Sequence, residues 1–420
     1  MNGNALRVIT ACGGMLLCSQ ALAFDEFDTQ HAPPRFTLSH SDLTLEIKGR
    51  ARIGLHDLQG EGGPGYDSVT DTATIGTRSP FVELDSFDLA LRLNWQEYIW
   101  LNTNISFLTD STSLSAIYFE YRQSLESWFS HGAEVGYLSH IAATDRRTVR
   151  YPIIAADYWK HPEYHAAYGA KFIFHDEAAL TLYASVGVMR PLKVEPLHGS
   201  PTYAGAYSTL AYGSSKPYSG NAVSGAFLLR LYGWGASLEA FANVGKIVKS
   251  KGLESLYSAY AYYRALDDFD AAQTDALSWW AGARAAYNGY GFHAMAEVIA
   301  SQEQHLRRIG TYAQAAYTFS RDSDYFHTFE LLARYEGSWT LDSTKLQSSG
   351  ATLRTPDINN AISWDHHIIT LSARCKLVED ILSLRVEYSF FLEQNDVPSR
   401  NLKGVDIDDN ELLIQIEARY

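Results

Sequence analysis

The stretch Leu43–Leu55 reads LTLEIKGRARIGL, and its side chains alternate between apolar and polar. One row holds Leu43, Leu45, Ile47, Ala51, Ile53 and Leu55, and the other holds Thr44, Glu46, Lys48, Arg50 and Arg52. Successive side chains of a β-strand point to opposite faces, so this period of two predicts a strand with one apolar and one charged face. In a soluble β-sandwich the charged face would look outward. In a membrane barrel it would look inward, onto water.

The same alternation recurs along the chain in segments of about ten residues, the length of a membrane-crossing strand. It predicts sixteen strands, at 42–57, 81–95, 98–108, 114–122, 132–142, 166–175, 178–190, 222–232, 234–246, 275–287, 290–301, 310–319, 326–339, 366–377, 381–393 and 410–420. An even number of strands is typical of bacterial outer-membrane barrels.

The connections between these segments alternate between short and long. The short ones include Gln96-Glu97, Asp176-Glu177, Gly233, Asn288-Gly289 and Val378-Glu379-Asp380, and the long ones cover 58–80, 143–165, 191–221, 247–274, 340–365 and 394–409. The pattern predicts an all-β fold, a transmembrane antiparallel β-barrel of about sixteen strands with short periplasmic turns and long extracellular loops. The alternative of two soluble β-domains explains neither the interleaving nor the lack of a Pro-, Gly- or Ser-rich linker.

The first 23 residues are typical of a cleaved secretory signal peptide, with Arg7, an apolar run from Val8 to Leu17 and the small-residue signal Ala21-Leu22-Ala23. The run is too short and broken for a membrane anchor, and the large Leu17 before Cys18 disfavours a lipoprotein. We therefore expect export through the inner membrane, a short periplasmic segment at 24–41, and an outer-membrane barrel at 42–420.

Composition narrows the function classes. A mean hydropathy of −0.18 would suit a soluble exported protein, but 27 Tyr, 9 Trp and 19 Phe make 13% of the chain aromatic. This content suits strands and the aromatic girdles of membrane barrels. The net charge of −14 argues against a nucleic-acid partner. Only Cys375 lies beyond the signal segment, which excludes an intramolecular disulfide in the mature chain.

The last predicted strand carries an apolar row that ends on an aromatic residue: Leu412, Ile414, Ile416, Ala418 and Tyr420. In these features the chain resembles the bacterial porins. In that family a terminal aromatic is the recognition signal for the barrel-assembly machinery, and Tyr420 occupies this position, where Phe is commoner. The resemblance implies a homotrimer in contact with outer-membrane lipid and lipopolysaccharide.

A narrower likeness covers about 90 residues at the C-terminal end. The run Glu330-Leu331-Leu332-Ala333-Arg334-Tyr335, the strands 366–377 and 381–393, and Asp409-Asn410-Glu411 are similar to the phosphate-selective porin group. Phosphate selectivity requires a nearly all-basic lumen, whereas the predicted lumen rows carry as many anions as cations. The sequence therefore favours a general or weakly selective pore.

Charged side chains on the predicted lumen face are distributed unevenly. The strands that meet when the barrel closes carry a basic wall of Lys48, Arg50, Arg52, Arg92, Arg374, Lys376 and Arg385. Acidic pore-lining candidates lie on the other strands: Glu134, Glu239, Glu297 and Glu330. This distribution predicts a transverse electric field that sorts ions by charge. The alternative is that these are ordinary lumen residues paired across strands.

The connection 143–165 would be the third extracellular loop. It is the candidate constriction, because porins commonly fold their third loop into the barrel. Its charged candidates are Arg146, Arg147, Arg150, Asp157, Lys160 and Glu163. They accompany Tyr151, Tyr158 and Trp159, and arginines near aromatics suit the binding of a carboxylate or another anion. The alternative is a solvated loop that caps the barrel from outside.

These features predict a water-filled channel for passive diffusion of small hydrophilic solutes or ions, with anion preference as an extension. The alternative is a substrate-dedicated transporter or binding barrel with an occluded lumen; a surface adhesin acting through 191–221 or 247–274 is a third class. We predict no enzyme, cofactor or metal site. His161 and His165 lie in a Pro-containing loop, and no short motif marks a nucleophile of the outer-membrane phospholipase kind.

Overall fold

The structure is a computed structural model. It describes residues 35–37, 43–58, 64–67, 72–75, 80–96, 98–108, 112–144, 147–175, 178–188, 192–196, 208–212, 223–246, 277–303, 306–320, 326–341, 365–377, 381–394 and 410–419. The predicted signal peptide, most of 24–41, Arg146 and Tyr420 lie outside these residues.

The described residues form twenty-one strands and one helix. The strands are β1 (Arg35–Thr37), β2 (Leu43–Leu58), β3 (Pro64–Asp67), β4 (Thr72–Ile75), β5 (Phe81–Trp95), β6 (Ile99–Phe107), β7 (Thr112–Glu126), β8 (Phe129–Leu138), β9 (Glu163–His175), β10 (Ala178–Val188), β11 (Leu192–Pro196), β12 (Ser208–Tyr212), β13 (Val223–Gly233), β14 (Ala236–Lys246), β15 (Leu277–Gly289), β16 (Phe292–Glu303), β17 (Leu306–Ser320), β18 (Phe326–Thr340), β19 (Asp365–Leu377), β20 (Leu382–Gln394) and β21 (Glu411–Arg419). The helix is α1 (Ile153–Tyr158).

Sixteen strands close into one antiparallel barrel. β2, β5–β10 and β13–β21 pair in chain order, and β21 returns to β2 with Arg50 opposite Arg419 and Leu58 opposite Glu411. β1 pairs with the first part of β2, Thr37 opposite Thr44, beyond the end of β21. The remaining strands form two separate hairpins, β3–β4 and β11–β12. The predicted fold class is confirmed.

The barrel is inverted relative to a soluble protein. On β2 the charged row is buried, as at Glu46, Lys48 and Arg50, while Ile53 in the apolar row is 51% exposed. Other strands repeat the pattern: Leu238 is exposed and its neighbour Glu239 is buried. An outer surface of large apolar side chains around a polar interior suits a barrel surrounded by lipid. The described residues contain no helix long and apolar enough to cross a membrane.

Two of the tight turns differ from the sequence prediction in place. Asn288 and Gly289 end β15, and the two-residue turn is Tyr290-Gly291, with φ of 54° and 75°. Trp234-Gly235 repeats this turn, with φ of 50° and 78°, between β13 and β14. Positive φ at both central positions gives the turn that matches strand twist. Both aromatic residues are highly exposed and stand at the short-turn rim of the barrel.

The connection between β8 and β9 is also shifted. β8 ends at Leu138 rather than at 142, and β9 begins at Glu163 rather than at 166. The chain leaves the sheet at a turn in which the N–H of Ala143 donates to the carbonyl of His140 at 2.8 Å. The connection predicted at 143–165 is therefore 139–162, and we call it the inner loop.

Candidate functional site

The inner loop lies inside the barrel, against one wall. Ile153, Ile154 and Ala155 at the start of α1 are fully buried, and so are Asp157 and Trp159. Helix α1 packs beside β17, β18 and the β12 strand of the separate hairpin. A six-residue helix is too short to be stable alone, so its packing against the wall holds it in place.

The first anchor of the inner loop is Arg284 on β15. Its Nε donates to Glu297 on β16 at 2.6 Å, and its Nη1 donates to Glu239 on β14 at 2.7 Å. The remaining Nη2 donates to the carbonyl of Ala142 in the loop at 2.7 Å. Trp159 Nε1 donates to the other oxygen of Glu297 at 3.1 Å. A buried guanidinium with two carboxylates thus ties both ends of the loop to the wall.

The second anchor is Glu336 on β18, whose side chain is fully buried. Its carboxylate accepts a hydrogen bond from the guanidinium of Arg150 in the loop. It accepts another from Nε of Arg334 on its own strand, at 2.5 Å. It also accepts the backbone N–H of Ile153 at 2.6 Å, at the start of α1. Burial opposes the charged form of Arg150, but the neighbouring charge of Glu336 raises its pKa above the usual value.

Further contacts extend the same wall. Glu387 on β20 accepts the backbone N–H of Val149 at 2.9 Å. Asp157 lies 3.6 Å from Arg308 on β17. A Cβ added to Gly310 would lie 3.1 Å from Ile154 Cγ1, so this glycine lets α1 approach the sheet. The barrel partners of both anchors and of these contacts belong to β14–β20, which we call the loop wall.

The closing seam between β21 and β2 borders the loop wall, because β21 pairs with β20. Asp88 on β5 accepts Arg50 Nη2 at 2.9 Å and Arg52 Nη2 at 2.8 Å. Glu417 on β21 lies 3.3 Å from Arg374 and 2.8 Å from Arg419. These six residues, four arginines with two carboxylates, form what we call the seam cluster.

Cross-strand register concentrates positive charge at the seam. Arg50 lies directly opposite Arg419, and Arg374 lies directly opposite Arg385. Like charges in opposite positions repel, and Glu417 offsets part of this repulsion at the centre of the cluster. Arg374 keeps 17% of its side chain exposed, whereas Arg284 under the inner loop keeps 1%. Arg374 is therefore accessible from the lumen, whereas Arg284 is not.

The structure places the predicted charged residues as follows. Lys48, Arg50, Arg52, Arg92, Arg374, Lys376 and Arg385 all stand in the inward rows of β2, β5, β19 and β20, and Arg92 lies 3.5 Å from Glu120. Glu239 and Glu297 lie under the inner loop, bound to Arg284, and Glu330 pairs with Arg147 at 2.6 Å. Glu134 on β8 stands opposite Glu120. Lys160 Nζ lies 5.3 Å from the Tyr151 ring, and Glu163 lies 3.6 Å from His165.

The anchoring roles of Arg284, Arg334, Glu336 and Glu387 are not predicted from the sequence. Their partners lie far away along the chain, with Arg150 separated from Glu336 by 186 positions. The one local signal is the alternation Arg334-Tyr335-Glu336, which marks a charged inward row on β18. That row is readable from the sequence, but its use as a clamp for the loop is not.

No family model and no curated protein sequence matches the chain. Among solved structures it is similar to OmpF of Salmonella typhi in complex with daunomycin, with a TM-score of 0.55 at 9% identity over 92% of this chain and 100% of that one. The outer-membrane channel DcaP of Acinetobacter baumannii gives 0.51 at 11%, covering 92% and 99%. The trimer form of the outer-membrane protein OmpT of Vibrio cholerae gives 0.50 at 10%, covering 90% and 99%. The chain has the fold of the outer-membrane porins.

Proposed function

We propose that the chain is an outer-membrane porin, a water-filled channel through which small hydrophilic solutes and ions diffuse passively. The observation that carries the proposal is the attachment of the inner loop to one wall of a sixteen-stranded barrel. A barrel of this size is too wide for its own side chains to fill. A loop clamped to the loop wall narrows the lumen from one side, and the seam cluster lies at the edge of that wall, where β20 pairs with β21.

The same geometry supports a preference for anions. Two arginines of the inner loop pair with carboxylates of the loop wall, Arg147 with Glu330 and Arg150 with Glu336. The seam cluster holds four arginines and two carboxylates, so its net charge is positive, and Arg52, Arg374 and Arg419 are partly exposed beside the narrowed lumen. Patches of charged side chains select ions in pores by this means.

Location and assembly follow as further parts of the proposal. The apolar outer surface suits the outer membrane with its lipid and lipopolysaccharide, reached after cleavage at Ala23. The similarity to the trimer form of OmpT from Vibrio cholerae supports a homotrimer. Tyr420 would then be the signal read by the barrel-assembly machinery.

One observation favours a second candidate, a substrate-dedicated transporter with an occluded lumen. Strand β12 of the long connection between β10 and β13 lies beside α1. If this hairpin fills the space that the inner loop leaves, ions will not pass until a specific solute displaces it.

Single-channel recording in planar bilayers separates the two functions. A passive pore gives stepwise, ohmic conductance in KCl alone. A substrate-dedicated barrel inserts without steps and conducts only when its solute is added. Purified, folded protein that inserts and stays silent in KCl would contradict the porin proposal.

A further inference from the structure

A compact set of metal-ligand side chains lies at the end of the seam nearest the long connections. His56 Nε2 on β2 is 2.8 Å from Asp85 Oδ1 and 3.6 Å from Glu83 Oε1, both on β5. The donor atoms of these three residues all lie within 4.8 Å of one another. His56 is 4% exposed, and its ring stacks on Phe81 at 5.2 Å between centroids. The imidazole is therefore fixed in position.

A β-bulge in β5 brings the two carboxylates into the lumen. Arg52 pairs with Ser86, but the next residue, Ile53, pairs with Leu84, so Asp85 is the extra residue. Before the bulge Asp88 and Ser86 face inward, and after it Asp85 and Glu83 do. Val82 and Leu84 accordingly face outward and are exposed. Bulges commonly re-aim side chains next to functional sites.

The two ring nitrogens of His56 face different partners, with one toward the proposed ligand set and the other toward a carboxylate outside it. Nε2 points to Asp85 and Glu83, and Nδ1 lies 3.7 Å from Glu411 Oε1 on β21. A metal-bound histidine usually donates its other ring N–H to a carboxylate, which fixes the tautomer. Gln415 donates to Asp85 Oδ2 and leaves Oδ1 on the His56 side. Glu411 and Gln415 thus orient the ligand set from outside it.

Gly54 has no side chain, and this leaves room for the donor atoms of His56 and Asp85 to approach each other. It lies between Arg52 and His56 in the inward row of β2. A Cβ at this position would lie 2.6 Å from His56 Nε2 and 2.7 Å from Asp85 Oδ1. Any larger residue would press the imidazole and the carboxylate out of their common region.

We propose that His56, Glu83 and Asp85 bind a divalent transition metal of the Zn²⁺ class at this mouth of the lumen. One imidazole nitrogen and two carboxylate oxygens are a ligand set that zinc accepts, with water as the fourth ligand. Tetrahedral zinc at its usual bond lengths sets ligand atoms about 3.3 Å apart. The distances from Nε2 to Asp85 and to Glu83, 2.8 and 3.6 Å, lie on either side of this value. Two carboxylates neutralise the charge of the ion, and His56 binds it in the neutral form, losing its Nε2 proton to solvent.

A second histidine–carboxylate group in the same barrel lacks this arrangement. In the inner loop, His140 Nε2 is 3.9 Å from Glu163, but its Nδ1 accepts the backbone N–H of Ala142 at 3.1 Å. The proton of the neutral ring is then on Nε2, which cannot bind a metal. The order of ring partners at His56 therefore differs from that at His140.

Zinc titration by calorimetry, together with diffraction at the zinc absorption edge, tests the site on the purified full-length protein. We expect one zinc per chain at His56, and an affinity at least about tenfold lower in His56→Gln and in Asp85→Asn. Gly54→Ala, which keeps every ligand and fills their space, should lose affinity as well. His293→Gln, which alters a lumen histidine bonded to Gln314, is the matched control and should bind zinc as the wild type does.

Three results would overturn the site: no zinc bound to the folded wild type, equal affinity in His56→Gln, or an anomalous peak elsewhere. Calcium that displaces zinc at equal concentration would also contradict the role of the imidazole. The β-sheet circular dichroism of each variant in the absence of zinc verifies that the barrel is folded. Binding is measured without ion flow, so a failure of the metal site is distinguishable from a failure of the porin proposal.

Discussion

The loop wall and the closing seam are built from the same residue types, arginines with glutamates or aspartates, yet they differ in how deeply the arginines are buried. On the loop wall Arg284 is surrounded by Glu239 and Glu297, and water is excluded. At the seam Asp88 and Glu417 are shared among four arginines, of which Arg52, Arg374 and Arg419 keep 13%, 17% and 14% of their side chains exposed. Fully buried ion pairs hold a segment of chain in place, whereas charges that stay accessible from the lumen act on passing ions. The burial of the arginines, rather than residue type, separates the two roles.

Glu336→Gln should have the largest effect, because it removes the carboxylate of the second anchor of the inner loop. The substitution leaves Arg150 and Arg334 buried without their shared carboxylate, a loss that typically costs about 3–5 kcal/mol. The inner loop should detach, and single-channel conductance should become larger and noisier. Proteolysis of the loop in folded protein provides a second readout.

Glu330→Gln is the matched control for that change. Glu330 binds Arg147 of the same loop, but this pair is partly exposed, with 26% of the arginine side chain accessible. Exposed pairs contribute about 0–1 kcal/mol, so the loop should stay attached. Equal effects of the two substitutions would show that burial does not distinguish the anchors.

Charge reversal at the seam tests the field. Arg50→Glu combined with Arg52→Glu should move the reversal potential in a KCl gradient toward cation selectivity, because the net charge of the seam cluster changes sign. Arg50→Lys with Arg52→Lys keeps the charge and should keep the selectivity. An unchanged reversal potential in the glutamate variant would rule out the seam as the source of selectivity.

The architecture could be predicted from the sequence, because strand periodicity and the spacing of turns are local properties. The alternation in Leu43–Leu55 identifies both faces of β2, and the interleaved short and long connections identify the barrel. The clamp at Glu336 could not be predicted, since it joins segments 186 positions apart. The bulge at Asp85 was not predicted either, although two consecutive polar residues, Asp85 and Ser86, mark the point where the alternation of β5 shifts by one residue.

Acid should weaken the attachment of the inner loop to the loop wall, because the loop residue His140 is buried. Burial, with the charge of His165 as a smaller cause, lowers the pKa of His140 from 6.5 to about 3. A released loop would bind a proton at its ordinary pKa, so the attached state loses stability as pH falls from 6.5 toward 3. At pH 5 the loss is about 2 kcal/mol. Conductance noise should rise over this window and stay flatter in His140→Gln.

Glu417→Gln should have the smallest effect on ion selectivity of these substitutions. It tests the contribution of a carboxylate to the seam cluster, as the substitutions at Arg50 and Arg52 test the arginines. The substitution removes one of two carboxylates from a cluster that is already net positive. Anion selectivity should increase modestly, in the direction opposite to the reversal at Arg50 and Arg52. A shift toward cations would contradict the assignment of Glu417 as the group that offsets the seam arginines.

The reversal potential of the wild-type protein in a KCl gradient across a planar bilayer tests the account most directly. It requires both that the barrel conducts and that the seam, rather than the loop wall, determines which ions pass. We expect stepwise conductance with chloride more permeant than potassium. A folded barrel that gives no steps, or one that favours potassium, would contradict the account.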